Sequence, residues 1–290
     1  MAAVNLTRDE VIERSKGLPS FPRFVIDILA SLDDPDGSIT VLAGCVMRDP
    51  LITARVLSVA NMASVRGRRE SPVNDVYTAI SLVGMSRVRE ITLISSLGAF
   101  IGASAGTGAP ATFWNHCVSV GVCCEELALY IDTPVSTDAA LIAGLLHDIG
   151  QLWFYSFDVG AYREGWQRAM THSLVISQVE RDLFGVDHAT LGAWLAEQWE
   201  LPAPIVAAIR SHHAPDAALD SPLVPLVHVA EVLSNALDLG ARDENRVTGL
   251  SSAACQQLGL VWDDGIRPLF GRIDARSRHA NTFFATSAKS

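Results

Sequence analysis

Apolar residues recur at helical spacing along most of the chain, and clusters of Gly, Pro, Asp, Asn and Ser separate the apolar segments. Val25, Ile28 and Leu32, for example, would share one face of a helix that ends at the turn formed by residues 33–37. No run of alternating β-branched residues requires a strand, and no internal repeat occurs. The pattern therefore predicts an all-α fold.

The cap and stop residues set approximate limits for the predicted helices. The predicted helices cover residues 7–16, 21–32, 38 to the Asp49-Pro50 break, 50–62, 75–83, 87–102, 111–131, 136–155, 158–171, 173–184, 187–199, 202–212, 222–239 and 247–260. The last twenty residues are predicted to be mobile, because Phe283 and Phe284 are their only apolar feature.

The most linker-like stretch, GASAGTGAP at residues 102–110, suggests a boundary between two helical parts. The predicted organisation is an N-terminal helical subdomain at residues 1–105, a helical core at 111–245, and a C-terminal helix with a mobile tail at 246–290.

Composition narrows the classes of function. The chain has 290 residues, a net charge of -10 and a hydrophobic fraction of 49%, which indicate a packed globular protein. The acidic balance argues against a protein that coats nucleic acid or an anionic membrane. No segment resembles a signal peptide or is long enough to span a bilayer, and the five cysteines lack zinc-site spacing. We expect buried thiols in a reducing cytoplasm.

The candidate chemistry lies in LIAGLLHDIG, residues 141–150, where the pair His147-Asp148 interrupts an apolar helical pattern. An ionised carboxylate that is buried alone is costly, so Asp148 needs a metal, a cation or several donors. Imidazoles with a carboxylate suit iron, manganese or zinc. Adjacent helical residues point about 100° apart, so this pair could serve two metals, with Asp148 bridging them.

Each other histidine also has a simpler interpretation that the sequence leaves open. His116 alone could be a hydrogen-bonded core residue, and His188 could interact with the N-terminus of the helix that follows Asp187. His212 and His213 lie near a helix C-terminus, where imidazolium is favourable. His228, one turn before Glu231, could orient that carboxylate.

Several segments in order resemble the HDOD family, a branch of the HD phosphohydrolase superfamily. They are Leu18-Pro19-Ser20-Phe21-Pro22, Arg48-Asp49-Pro50-Leu51, Ala60-Asn61, Ala79-Ile80, Leu82-Val83-Gly84, FWNHC, AGLLHDIG, FGVDHATLGAWL and WELPAPIVAAIRSHH. The resemblance covers roughly residues 17–240. It implies a multi-helix HD-superfamily-like bundle with an additional N-terminal helical subdomain.

The resemblance also implies a ligand set for one or two ions of iron, manganese or zinc. The first would take His116, His147, Asp148 and Glu231. The second would use Asp148 as a bridge, with His188 and either His212 or His213. Three positions depart from active relatives: Glu231 replaces an aspartate, Gln151 replaces a lysine, and no GYP-like loop follows His213.

Two classes of function follow. The resemblance implies a bacterial signal-transduction output module that acts through protein–protein contacts, with receiver-type or cyclic-dinucleotide-linked proteins as expected partners. The alternative is a metal-dependent phosphohydrolase with a mono- or dinuclear site; in a third arrangement the metal is structural. The sequence assigns no catalytic residue, no other cofactor and no oligomeric state, and it contains no phosphate-binding loop, serine elbow or nucleic-acid motif.

Overall fold

The computed structural model describes residues 4–30, 38–62, 71–218, 220–240 and 247–287. Within these ranges the chain forms helices and no strand, which confirms the all-α prediction. The α-helices are α1 (Arg8–Ser15), α2 (Arg23–Ala30), α3 (Ser38–Arg48), α4 (Pro50–Ala60), α5 (Val76–Val83), α6 (Met85–Ala103), α7 (Ala111–Tyr130), α8 (Thr137–Leu146), α9 (Ile149–Phe157), α10 (Val159–His172), α11 (Ile176–Phe184), α12 (His188–Gln198), α13 (Ala203–Ser211), α14 (Leu223–Ala236), α15 (Ser252–Gln257) and α16 (Arg267–Ser287).

The helices group into two units. The smaller is Ser20–Ile101, and the larger combines Met1–Pro19 with Gly102–Ser290. The smaller unit thus ends at the start of the linker-like stretch 102–110. Helix α1, which the sequence grouped with the N-terminal subdomain, belongs to the larger unit because it packs against α12 and buries Val11 completely.

In the smaller unit, helix ends are fixed by short polar side chains. Asp49 accepts hydrogen bonds from the backbone N–H groups of Leu51 (2.8 Å) and Ile52 (3.2 Å), which caps α4. Asn61 follows α4 and donates to the carbonyl oxygens of Leu57 and Val73, while its own carbonyl accepts from the Val73 N–H; all three distances are 2.8 Å. These bonds tie the end of α4 to the segment that leads into α5.

The larger unit is built around α7, in which 14 of 20 residues are buried. This helix packs against α8, α14 and α16. The contact with α8 is close: a Cβ atom added to Gly144 would lie 2.6 Å from Cys124 Sγ and 2.8 Å from Gly121 Cα. The five cysteines are buried free thiols, as expected. No helix in the described ranges is long and apolar enough to cross a membrane.

Three features of the larger unit correct the sequence prediction. The predicted helix 136–155 is two helices, because the chain changes direction at Asp148 (φ -98°, ψ 11°). The predicted helix 247–260 is helical only at Ser252–Gln257. Within the end predicted to be mobile, residues 271–287 belong to the 21-residue helix α16.

Polar contacts with α7 hold α16 in place. Arg272 and Arg276 donate to opposite oxygens of Glu126 at 2.9 and 2.7 Å, and Arg276 also reaches Glu125 at 2.6 Å. Burial raises the pKa of the Glu126 carboxyl, but the guanidinium groups of Arg276 and Arg272 outweigh it and hold this pKa below its usual value.

Candidate metal centre

The break between α8 and α9 brings two consecutive polar side chains to one place. His147 ends α8, and its Nδ1–H donates to the Gly144 carbonyl oxygen at 2.7 Å. Asp148 starts α9 in a non-helical conformation. In a continuous helix the two side chains would diverge by about 100°. Here both lie in the same buried cluster, with 0% and 2% of their surfaces exposed.

All seven residues predicted as metal ligands lie in this cluster and form two groups; within each group the possible ligand atoms are within 4.8 Å of one another. The first group is His116, His147 and Glu231, and the second is Asp148, His188, His212 and His213. They come from α7, the α8–α9 break, the start of α12, the end of α13, and α14.

The Asp148 carboxylate lies between the groups. Its Oδ2 is 3.5 Å from His147 Nε2 and 3.7 Å from His116 Nε2. Its Oδ1 is 3.2 Å from His188 Nε2 and 3.9 Å from His212 Nε2. One carboxylate oxygen therefore faces each group of histidines.

Hydrogen bonds to Nδ1 fix the direction of three imidazoles. His147 donates to Gly144 O, and His212 donates to Ile209 O, both at 2.7 Å. His188 Nδ1 lies 2.6 Å from the Glu180 carboxylate. Because the partners are acceptors, Nδ1 carries a proton, and in the neutral imidazole Nε2 turns a lone pair toward the centre. His212 Nε2 is shielded from solvent, and no hydrogen-bond partner for it exists among the described residues.

The distances between imidazoles suit a shared cation. His116 Nε2 and His147 Nε2 are 3.3 Å apart, and His188 Nε2 and His213 Nε2 are 2.8 Å apart. Two nitrogens that bind one ion at about 2.1 Å and at right angles lie about 3.0 Å from each other. The donor set of imidazoles and carboxylates, together with the unpartnered nitrogen of His212, fits a divalent metal.

Burial lowers the pKa of two imidazoles of the cluster, whereas a third has a raised pKa. Burial and the neighbouring imidazoles lower the pKa of His212 far below its usual value and lower the pKa of His213 to about 3. For His188, burial lowers the pKa, but the Glu180 carboxylate outweighs burial and raises it to about 9. Neutral imidazoles are the form that binds metals, so His188 would release its Nε2 proton when an ion binds.

A close helix crossing places His188 in the cluster. A Cβ atom at Gly150 would lie 2.0 Å from the His188 carbonyl oxygen and 2.9 Å from Gly192 N. Only glycine at position 150 lets α9 approach the first turn of α12 this closely, which brings His188 to Asp148.

Sequence reasoning missed Glu180, and the role that it left open for His228 is not the one observed. Glu180 in α11 is 1% exposed and bonded to His188, and its position one turn before the buried Phe184 could have indicated its burial. His228 does not orient Glu231. Its Nδ1–H donates to the His212 carbonyl oxygen at 2.8 Å, and its Nε2 accepts from Ser251 N–H at 3.1 Å.

The sequence of the chain is similar to a known family and to a known protein. The chain matches the HDOD domain over residues 18–215. It is 26% identical to an uncharacterised protein of Treponema pallidum (strain Nichols) in an alignment of 239 residues, and the match covers 79% of this chain and 44% of that protein. The chain thus spans less than half the length of this relative.

Three solved structures share the fold. An HDOD domain protein of unknown function from Geobacter sulfurreducens is 23% identical with a TM-score of 0.71, and the match covers 96% of both chains. A candidate phosphohydrolase from Shewanella amazonensis SB2B is 23% identical with a TM-score of 0.66, covering 96% of this chain and 97% of that one. A candidate signal transduction protein from Marinobacter aquaeolei VT8 is 20% identical with a TM-score of 0.71, and the match covers 100% of this chain and 63% of that one.

Proposed function

The chain belongs to the HDOD family, and from this starting point we propose that its buried histidine cluster is a two-metal centre that hydrolyses a phosphate ester. The observation that carries the proposal is the position of Asp148, whose two carboxylate oxygens face two separate groups of imidazole nitrogens. A carboxylate in this position can bridge two ions. The complete set of seven candidate ligands supports the same conclusion.

Each group of residues would hold one ion. His116, His147 and Glu231 would bind the first together with Asp148 Oδ2; His188, His212 and His213 would bind the second together with Asp148 Oδ1. Divalent ions in such sites generate a nucleophile from water at neutral pH and offset negative charge on a phosphate. Imidazole and carboxylate donors favour iron, manganese or zinc.

The exposed fractions of the seven candidate ligands indicate from which side a substrate would reach the centre. Of the seven candidate ligands, six have side chains that are at most 8% exposed, whereas the side chain of His213 is 24% exposed. The phosphate would therefore approach beside His213. The Glu231 carboxylate lies on the same side, with its Oε2 3.8 Å from His213 Nδ1.

The proposal is tested by elemental analysis of protein purified without chelator, followed by assay with an aryl phosphodiester. We expect one or two equivalents of iron, manganese or zinc and slow hydrolysis, both lost in Asp148→Asn. His172→Ala is the matched control, because His172 is an exposed histidine at the end of α10. Absence of metal from the folded wild-type protein, or hydrolysis that is unchanged in Asp148→Asn, would refute the proposal.

A second candidate function, a regulatory module that binds signalling proteins, is favoured by the surface of the smaller unit. Helices α3, α4 and α5 each expose a large apolar side chain: Met47 (52%), Leu51 (58%) and Tyr77 (48%). A contiguous patch of such side chains would mark a partner surface. The expected partners are receiver-type or cyclic-dinucleotide-linked proteins. Leu51→Asp should abolish co-purification of such a partner while leaving the metal content unchanged; equal recovery would contradict this role.

In this second role the metal would stabilise the helices that a partner recognises. Removing the metal with a chelator would then lower the unfolding temperature and weaken partner binding, although no phosphate ester is hydrolysed. Hydrolysis by the metal-loaded protein distinguishes the two candidate functions.

A further inference from the structure

Both carboxylate oxygens of Glu180 in α11 are buried and hydrogen-bonded. Glu180 is 1% exposed, and its Oε2 accepts from the backbone N–H of His188 at 2.8 Å and lies 2.6 Å from His188 Nδ1. Its Oε1 accepts from the Tyr162 hydroxyl at 2.9 Å. Three hydrogen bonds thus fix this carboxylate, and two of them hold one residue of the histidine cluster.

We propose that Glu180, held by Tyr162, is a positioning residue that strengthens His188 as a metal ligand and sets the affinity of the second group of ligands. This inference rests on the proposed metal centre. A carboxylate opposite Nδ1–H fixes the imidazole tautomer and makes the opposite nitrogen, Nε2, a stronger electron donor. That nitrogen lies 3.2 Å from Asp148 Oδ1, inside the second group.

The other histidines of known orientation differ from His188 in this respect. His147 and His212 donate to the neutral carbonyl oxygens of Gly144 and Ile209. His188 donates to a full negative charge, and charged acceptors make stronger hydrogen bonds than neutral ones. The effect of Glu180 should therefore be confined to the group that contains His188.

Tyr162 is itself well fixed, which allows it to orient the carboxylate. The residue is completely buried; its ring stacks on Phe154 at 5.0 Å between centroids and meets Tyr155 edge to face at 4.9 Å. Replacing it with phenylalanine would keep these aromatic contacts and remove only the hydrogen bond to Glu180. A chain of contacts thus runs from the aromatic core through Tyr162 and Glu180 to His188.

The test measures the affinity for Zn²⁺ by competition with a chromophoric chelator, using metal-free protein. Glu180→Gln should weaken binding at the His188 group by about 10- to 100-fold, with no change at the other group. His188→Ala identifies which Zn²⁺ equivalent belongs to that group. Tyr162→Phe should give a smaller weakening of the same equivalent. The matched control is Glu126→Gln, which removes another buried carboxylate of the larger unit, one bonded to Arg272 and Arg276 and not to a histidine of the cluster.

The outcomes separate this inference from the proposed function. A wild-type protein that binds no Zn²⁺ would refute the metal centre and, with it, this inference. A wild type that binds Zn²⁺ with the same affinity as Glu180→Gln would refute the inference alone, as would equal weakening in Glu180→Gln and Glu126→Gln. Tyr162→Phe preserves the core packing, so an unchanged Zn²⁺ affinity in this variant would overturn the role of Tyr162. If Glu180→Gln does not fold, the Zn²⁺ affinity of Tyr162→Phe tests the inference in its place.

Discussion

Gly150→Ala is a sharp test of how the candidate metal centre is assembled, because it adds one methyl group at the crossing of α9 and α12. The new Cβ would lie 2.0 Å from the His188 carbonyl oxygen, whereas ordinary contacts begin at 3.4 Å. The opposing atoms belong to the backbone, so no side chain can rotate away. The two helices would have to separate by more than about 1 Å, since contacts this short are strongly repulsive.

The expected free-energy change combines two opposing effects. Overpacking in a core costs about 1–3 kcal/mol, and a backbone clash belongs at the upper end of this range. Alanine gains about 1 kcal/mol over glycine in helix propensity. We therefore expect a net loss of about 2 kcal/mol in the free energy of unfolding, which corresponds to a fall of about 4–8 °C in Tm for a unit of this size.

The assay is thermal unfolding followed by far-UV circular dichroism, with metal content measured in parallel. Gly271→Ala in α16 is the matched control, because beyond the neighbouring backbone of its own helix no described atom lies within 4 Å of the added Cβ. Its Tm should equal or exceed that of the wild type. A Gly150→Ala variant that is as stable as this control, or that retains full metal content, would show that the close crossing does not position His188.

Three further predictions concern other parts of the molecule. Asn61→Ala removes three hydrogen bonds of the smaller unit and should lower the free energy of unfolding by about 2–3 kcal/mol in urea titrations; a loss below about 0.5 kcal/mol would contradict the importance assigned to them. Because the arginines of α16 hold the pKa of Glu126 below its usual value of 4.5, this carboxylate stabilises the fold above that pH and loses its effect as the pH falls through the folded-state pKa. The stability advantage of the wild type over Glu126→Gln, measured by denaturant titration, should therefore shrink as the pH falls below about 4.5, and a difference that is constant with pH would argue against the ion pairs. Chelator should lower the Tm of the wild type but not that of Asp148→Asn, since only a protein that binds metal gains stability from it; equal shifts in both would exclude Asp148 as a ligand.

The helices that could be predicted from the sequence are those with a strong apolar face or a clear cap. The predicted segments 158–171 and 202–212 differ by one residue at each end from α10 and α13, because Pro, Ser and Asp mark their limits locally. The seven candidate ligands came from spacing and family resemblance, and the structure brings them into one cluster.

The features that were missed depend on contacts between distant residues. The break at Asp148 carries no local signal, since apolar residues at helical spacing lie on both sides of the pair His147-Asp148. It is visible only in the structure, where α9 begins after Asp148 and crosses α12 closely. Helix α16 is rich in polar residues, and its order depends on Arg272 and Arg276 meeting Glu126. Glu180 lies among the charged residues Arg181 and Asp182, and only its contact with His188 distinguishes it from a solvent-exposed acid.

The spread of the cluster along the chain has a consequence for folding kinetics. His116 and Glu231 belong to one group of ligands, although more than a hundred residues separate them in the sequence. Closing a loop of this length costs chain entropy before any contact compensates for it, and contacts between distant residues form late and slowly. Capture of metal would then be among the last events of refolding, and a burst of metal binding would report that the larger unit has reached its native topology.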